Sequence, residues 1–319
     1  MNDRDPVARP AASPPAPLEV SSPKDSTHAA ETTTVAALLG ELAMLLDAAG
    51  IPDPGREARD IIAALRDAPR FWTTVNGHTV MSADERTFAR AAATRRARGA
   101  PLAYAVRSAA FRRLTLTVDE RVLIPRPETE LLVEIVLELM KGHAGGVAID
   151  IGTGSGAIAL ALASEGAFDR VLGGDISADA IDVARGNALR LKLADQARLE
   201  FRCGSVLAPF HQERAALVVS NPPYIADGEI GALPAGVREW EPAVALFGGP
   251  DGMTTIRRII RDARGVLEPG GWLALEIDSR RASWVVEALS VYDCYVDISV
   301  RFDLAGRERF VLARYRETT

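Results

Sequence analysis

From Gly146 to the C-terminus the chain repeats one pattern: a short apolar run, a turn, then a longer stretch with helical spacing. The apolar runs are "GVAIDIG", "RVLGGDIS", "ARLEFRC", "ALVVSNP" and "GWLALEID". Helical stretches such as "SGAIALALASEG", "SADAIDVARGNALRLKL" and "GMTTIRRIIRDARGVLEPGG" follow most of them. Near-continuous apolar strands separated by helices demand a parallel sheet, because a parallel connection must cross over and the crossing helix covers a sheet face. The end departs from this rule. "YDCYVDISV" and "RERFVLARYR" read as two strands joined by a turn near "DLAGR", so an antiparallel pair closes the sheet. There is no internal repeat.

A different pattern precedes the sheet. "VAALLGELAMLLDAAG" and "GREARDIIAALRDA" carry apolar residues at helical spacing. "SADERTFARAAATRRARGAP" opens with the Ser82–Glu85 spacing of a capping box and closes on arginines that suit a helix C-terminus. This predicts a small helical bundle over residues 35–100. Residues 101–126, with "RRLTLTVDERVLIP", read as a strand or hairpin linker. A helix then starts at Pro127, with Glu128 and Glu130 at its positive end and Gly142 at its stop, opening a sheet domain over 127–319. Residues 1–34 are rich in Pro, Ala, Ser and Thr and read as a disordered tail.

Composition excludes several classes. A net charge of −6 argues against broad affinity for naked nucleic acid, and no stable nucleic-acid partner is expected. Residues 84–126 hold ten arginines against four acidic residues, which are either solvated helix faces or a patch for an acidic or RNA-containing partner. Cys203 and Cys294 have no metal-ligand or CxxC spacing and read as small buried residues of a reducing compartment. The four scattered histidines offer no metal site. No apolar run is long enough to span a membrane and no secretory pattern opens the chain, so a cytoplasmic protein without a membrane partner is expected; a monomer is expected as well.

Two stretches carry chemistry. "AIDIGTGSGAIAL" is a strand, a glycine-rich turn and a helix start. Gly152, Gly154 and Gly156 allow a sharp turn and close approach of a ligand. Asp175 follows Gly152 by twenty-three residues, at the tip of the next strand, where a carboxylate can bind both hydroxyls of a ribose. The spacing is G-x-G-x-G led by Asp150, whereas a dinucleotide site has G-x-G-x-x-G; a nicotinamide enzyme and a purely structural turn stay open on this loop alone. The second stretch is "SNPPYI" at the end of the fourth strand, on the same edge of the sheet. Pro222 and Pro223 have fixed φ and no N–H, so the corner is stiff and short of donors. It offers two acceptors, the Asn221 side-chain oxygen and the Pro222 carbonyl, which can hold a planar NH2 group. Tyr224 can lie against such a group. An ordinary turn also uses Asn-Pro, but not at the ligand edge of a sheet whose first strand carries the glycine loop.

These segments resemble the HemK-type protein-(glutamine-N5) methyltransferases of peptide chain release factors. The resemblance runs from about Val35 to Tyr315 through "RRARGAPLAY", "VDERVLIPRPETE", "DIGTGSGAIALALA", "SNPPYI", "EPAVALFGGPDGM" and "AGRERFVLARY". It implies a class I S-adenosylmethionine-dependent methyltransferase fold: α/β, a Rossmann-like seven-stranded sheet, mostly parallel with an antiparallel C-terminal pair, behind an N-terminal helical substrate-recognition domain. It implies S-adenosyl-L-methionine as cofactor, lined by Gly152, Thr153, Gly154, Ser155 and Gly156, with Asp175 on its ribose. Asn221, Pro222, Pro223 and Tyr224 would bind and orient the glutamine of a release-factor Gly-Gly-Gln motif, with Asn221 also beside the cofactor, and Arg126–Glu130 would border the site. Paralogues that modify a ribosomal protein, and nucleic-acid amino-methyltransferases, share the Asn-Pro-Pro-Tyr motif or the fold and are the alternatives. Four positions depart from the family pattern: Ser205-Val206 where an acidic-aromatic pair sits near adenine, and Arg107 and Asp278 where glycine is usual.

Overall fold

The computed structural model describes residues 32–143, 145–194 and 198–317. The predicted disordered tail falls almost wholly outside the described residues. Its last residue, Thr34, is ordered: it caps the first helix and bridges to Val80.

The N-terminal part is helical as the periodicity predicts. Helices α1 (Val35–Ala48), α2 (Pro54–Leu65), α3 (Trp72–Val75) and α4 (Ala83–Ala97) enclose a core of Leu38, Leu42, Leu46, Ile61 and Ile62. Ala89, Ala92 and Ala93 on α4 let it pack closely against that core. The Ser82–Glu85 capping box forms, with both reciprocal bonds present. The arginine-rich stretch is largely spent on internal pairing: Arg90, Arg95, Arg96, Arg112, Arg121 and Arg126 each face a carboxylate.

The predicted strand linker is only partly strand. Leu102–Val106 forms a short helix, α5, that buries Tyr104, Ala105 and Val106, before the hairpin of β1 (Ala109–Phe111) and β2 (Leu114–Leu116). Burial of one side of a single turn outweighed the alternating pattern further along. Arg107 ends α5 at φ 55°, the left-handed conformation glycine adopts freely, which accounts for glycine being usual there.

Helix α6 (Pro127–Leu139) leads into the main sheet of β3 (Val147–Ile151), β4 (Arg170–Asp175), β5 (Leu199–Cys203), β6 (Ala215–Ser220), β7 (Leu267–Glu276), β8 (Tyr295–Phe302) and β9 (Glu308–Tyr315). Their spatial order is β5-β4-β3-β6-β7-β9-β8. The first five run parallel, while β9 is antiparallel to both β7 and β8, as the sequence pattern predicts. Helices α7 (Ala157–Glu165) and α8 (Ala178–Arg190) pack with α6 over one core. After β6 come the short helices α9 (Ala235–Trp240) and α10 (Ala243–Leu246), then α11 (Thr254–Ala263) and α12 (Ala282–Ser290) over the other core. Strand order reverses between β3 and β6, and Ile151 pairs with Ser220, so Gly152 and Asn221 leave the sheet side by side at the edge where ligands of such sheets bind. Cys294 is buried as expected, but Cys203 is exposed, because it ends the edge strand β5.

Candidate active site

The glycine loop is held by a carboxylate behind it. Asp150 is fully buried; one oxygen accepts from Thr153 Oγ1 at 2.6 Å and from the Ala159 N–H at 3.1 Å. Its other oxygen has no hydrogen-bond partner among the described residues. Burial pushes Asp150 up to about 7, against these two bonds. Asp150 thus faces inward and fixes the loop. Gly152, Gly154 and Gly156 all have positive φ (71°, 54° and 84°), which only glycine holds without strain. Gly152 and Gly154 line a cavity of about 330 Å³. Thr153 and Ser155 do not line it; both are buried, Thr153 on Asp150 and Ser155 through its carbonyl, which accepts from Asn187 Nδ2 at 2.9 Å. Gly156 starts α7 and faces Leu160 and Ala184 instead. Asn187 is fully buried and spends its remaining bonds on the Thr117 backbone, at 2.7 and 3.0 Å.

Asp175 reaches the same cavity from β4. Each of its oxygens accepts one backbone N–H, from Gly154 at 3.0 Å and Ser177 at 2.9 Å. Lone pairs remain on both oxygens for hydroxyl donors, and burial raises its pKa. The far end of the cavity is bordered by Gly204, Ser205, Val206 and Arg258. Ser205 Oγ accepts from Arg258 at 2.8 Å, and Val206 sits at φ 52°, a costly conformation for a β-branched residue. Backbone-lined glycine turns, a carboxylate with lone pairs left for hydroxyl donors and this volume suit S-adenosylmethionine; its adenine end would meet a serine and an arginine rather than an acid.

The Asn-Pro-Pro-Tyr corner separates this cavity from a second one of about 200 Å³, and Leu123, Asn221, Pro223 and Ala245 line both. Arg126, Pro222 and Tyr224 line the second. Asn221 Nδ2 donates to Thr129 Oγ1 at 3.1 Å, and Thr129 donates to Glu276 Oε2 at 2.8 Å. Glu276 is fully buried on β7, its other oxygen has no hydrogen-bond partner among the described residues, and burial pushes it up to about 7. Arg309 lies 3.8 Å from that second oxygen, 5.7 Å from the Tyr224 ring centroid, and within 3.4 Å of the Tyr224 hydroxyl. Among the described residues no hydrogen bond engages Asn221 Oδ1 or the Pro222 carbonyl, so both predicted acceptors stay open. Burial pushes Tyr224 up to about 12, so it stays a neutral phenol at any working pH.

The segment 241–252 braces the corner. Ile225 and Gly248 exchange backbone bonds with Leu246 and Ile225 at 3.0 and 2.9 Å. A Cβ on Gly252, which has φ 75°, would lie 2.2 Å from the Tyr224 carbonyl, and one on Gly248 would lie 2.5 Å from the Pro223 carbonyl. Arg126 places one terminal nitrogen 2.6 Å from both oxygens of buried Glu241, tying the "LIPRPETE" loop to the lip of the second cavity. Asp278, where glycine is usual, caps the turn after β7 and pairs with Arg280. Thr129 falls in the Arg126–Glu130 stretch expected to border the site, with no role of its own, while Glu241, Glu276 and Arg309 were not singled out from the sequence. One signal was present: a glutamate inside the apolar strand "WLALEID" is a buried charge that needs a reason. No group of acidic, His or Cys side chains suited to a metal occurs among the described residues.

Residues 37–106 match the PrmC N-terminal domain and residues 128–233 match the Methyltransferase small domain. Release factor glutamine methyltransferase from Moorella thermoacetica is 40% identical over 286 residues, covering 89% of this chain and 99% of that protein. The protein of the same name from Clostridium acetobutylicum is 42% identical over 215 residues, covering 67% of this chain and 74% of that one. Among solved structures, the hMettl16 catalytic domain, crystallised with an RNA hairpin, aligns with a TM-score of 0.53 over 81% of this chain and 93% of its own, at 16% identity; that likeness concerns the fold alone.

Proposed function

Since the chain belongs to the release factor glutamine methyltransferase family, we propose that the Asn221–Tyr224 corner carries the activity its relatives are named for. The protein methylates the side-chain amide nitrogen (N5) of the glutamine in the Gly-Gly-Gln motif of peptide chain release factors, using S-adenosyl-L-methionine. The observation that carries this reading is the pair of open acceptors, Asn221 Oδ1 and the Pro222 carbonyl, set between two adjoining cavities.

The cofactor supplies an electrophilic methyl group on a sulfonium; everything else falls to the chain. Gly152 and Gly154 would bring backbone against the ligand and Asp175 would hold its ribose hydroxyls, while Thr153, Ser155 and Gly156 shape the loop from behind. An amide nitrogen is a poor nucleophile because its lone pair is delocalised, so fixing its orientation is where the protein gains most. Two acceptors converging on the two N–H bonds fix the plane of the amide and draw electron density toward nitrogen. Pro222 and Pro223 keep the acceptors still and supply no competing N–H. Tyr224 packs on the amide, and its ring face favours nearby positive charge. A nitrogen that gains a fourth substituent becomes strongly acidic, so its proton passes to water without a dedicated base.

The substrate's glutamine enters through the second cavity, and the helical unit at 35–100 grips the release factor. The enzyme works as a cytoplasmic monomer, where translation takes place, with no stable nucleic-acid partner. No helix among the described residues is long and apolar enough to cross a membrane. Incubation with intact release factor, with a free Gly-Gly-Gln peptide and with ribosomal protein, followed by mass spectrometry, tests the reading. A gain of one methyl on the release-factor glutamine is expected; methyl on a ribosomal protein and none on the release factor would reverse it.

A further inference from the structure

We infer that Thr129, Glu276 and Arg309 are positioning residues that decide which end of the Asn221 amide faces the substrate. The inference rests on the amide-methylation reading above. An asparagine amide has two ends of nearly equal shape and opposite hydrogen-bond sense. Only Oδ1 can accept from the N–H of an incoming amide; Nδ2 turned outward would meet it donor to donor. The chain has to break this symmetry, and Thr129 does so. Its hydroxyl has one hydrogen, committed to Glu276 Oε2 at 2.8 Å. Toward Asn221 it therefore offers only a lone pair, which takes Nδ2 at 3.1 Å and leaves Oδ1 pointing away, toward the substrate.

This works only while Glu276 is an acceptor. The groups facing Glu276 are Thr129, Glu128 and Arg126 from the start of α6, Arg309 from β9 and Tyr224 from the corner. The Arg309 cation lies 3.8 Å from Oε1, so a proton added to Glu276 goes to the other oxygen, the one Thr129 uses. Protonated Oε2 donates to Thr129, the threonine hydrogen swings to Asn221, and the amide turns its Nδ2 outward. The same arginine borders the Tyr224 ring and hydroxyl, so it sets the charge at both ends of the corner. Burial already brings Glu276 up to about 7, which places the change within reach of a rate profile.

The test uses the full chain with intact release factor, comparing wild type, Thr129→Val and Thr129→Ser. Turnover at saturating cofactor and substrate is followed from about pH 5.5 to about pH 8.5. Wild-type kcat should fall as pH drops through about 7, the protonation range of Glu276. Thr129→Val, which keeps the shape and loses the hydroxyl, should lower kcat at least about tenfold, leave KM for release factor within about twofold, and flatten the acid limb. Thr129→Ser should restore both rate and limb. S-adenosylhomocysteine affinity, measured by calorimetry, should be the same in all three. Because Asp150 acts on the cofactor loop, its own titration belongs in the KM for cofactor and not in this kcat. A Thr129→Val enzyme with wild-type kcat, or with the acid limb intact, overturns the relay. Should that variant fold poorly, Glu276→Gln decides: loss of the limb supports the relay and its retention overturns it. Wild type without turnover on release factor would instead defeat the underlying reading.

Discussion

The glycine loop and the Asn-Pro-Pro-Tyr corner lie side by side, yet they are built in opposite ways. The loop is held chiefly from nearby in the chain: Asp150 reaches Thr153 and Ala159, three and nine residues on, and Asp175 and Asn187 bond Gly154 and Ser155 from 21 and 32 residues on. The corner is held by strangers. Thr129 lies 92 residues before Asn221, and Glu276 lies 147 residues after Thr129. Each region is backed by a buried carboxylate with one unpartnered oxygen, pushed up to about 7 by burial. A locally built loop confines damage to the ligand it holds. A corner assembled from four distant segments transmits changes made anywhere along them to the position of one amide.

Breaking the corner should give the largest effect. Asn221→Ala should lower turnover by at least about 10²-fold while cofactor affinity stays within about tenfold, since orientation is the role proposed for it. Equal losses in both, by stopped-flow turnover and calorimetry, would merge the two regions. Asp175→Ala should do the reverse, weakening cofactor binding by about tenfold to a hundredfold through the loss of charge-assisted bonds to hydroxyls, with kcat at saturation nearly kept. Gly252→Ala should show that the corner leans on its brace. A side chain at φ 75° costs about 1–2 kcal/mol before any clash with the Tyr224 carbonyl, and denaturant unfolding should show at least that loss together with reduced kcat. The smallest effect sharpens the comparison of the two acids. Both have folded pKa values above the unfolded one, so the folded state binds more protons and each contributes stability that is lost as pH rises toward about 7. The thermal midpoint of ligand-free protein should therefore fall from about pH 5 to about pH 8 by this contribution, and Asp150→Asn should flatten part of that slope. An unchanged slope would mean that Asp150 does not titrate there.

What could be read from the chain follows the same division. The sheet was legible because alternation of apolar runs and helical spacing is a periodic signal, and the antiparallel end because two strands were joined by a short turn. The Ser82 cap was legible because its partner sits three residues on, and the Gly152–Gly156 turn because its glycines recur at fixed spacing, although Asp175 and Asn187 hold it from 21 and 32 residues away. Thr153 and Ser155 were expected to line the cavity, but a turn this tight alternates its residues, and both point inward. Helix α5 was missed because a single turn carries almost no periodic signal. The Thr129–Glu276–Arg309 support was out of reach because nothing in the spacing of 129, 276 and 309 says that α6, β7 and β9 meet; only the glutamate in an apolar strand hinted at it. Segment 241–252 could be quoted as a motif, while its physical reason, glycines under the corner's carbonyls, needed coordinates.

Asn187 gives the molecule a seam where a boundary was drawn. It binds the Thr117 backbone with both ends of its amide and the Ser155 carbonyl with its second hydrogen. A fragment cut at Pro127 would keep the whole main sheet but lose Arg121, Val122 and Leu123 from the first cavity and Leu123 and Arg126 from the second. It would also strand an acceptor and a donor in a fully buried position, at about 1–3 kcal/mol for each group left unpaired, against the back of the cofactor loop. The smallest severable catalytic piece therefore starts at or before Thr117, and the hairpin ahead of α6 belongs to the catalytic half rather than to the hinge between halves.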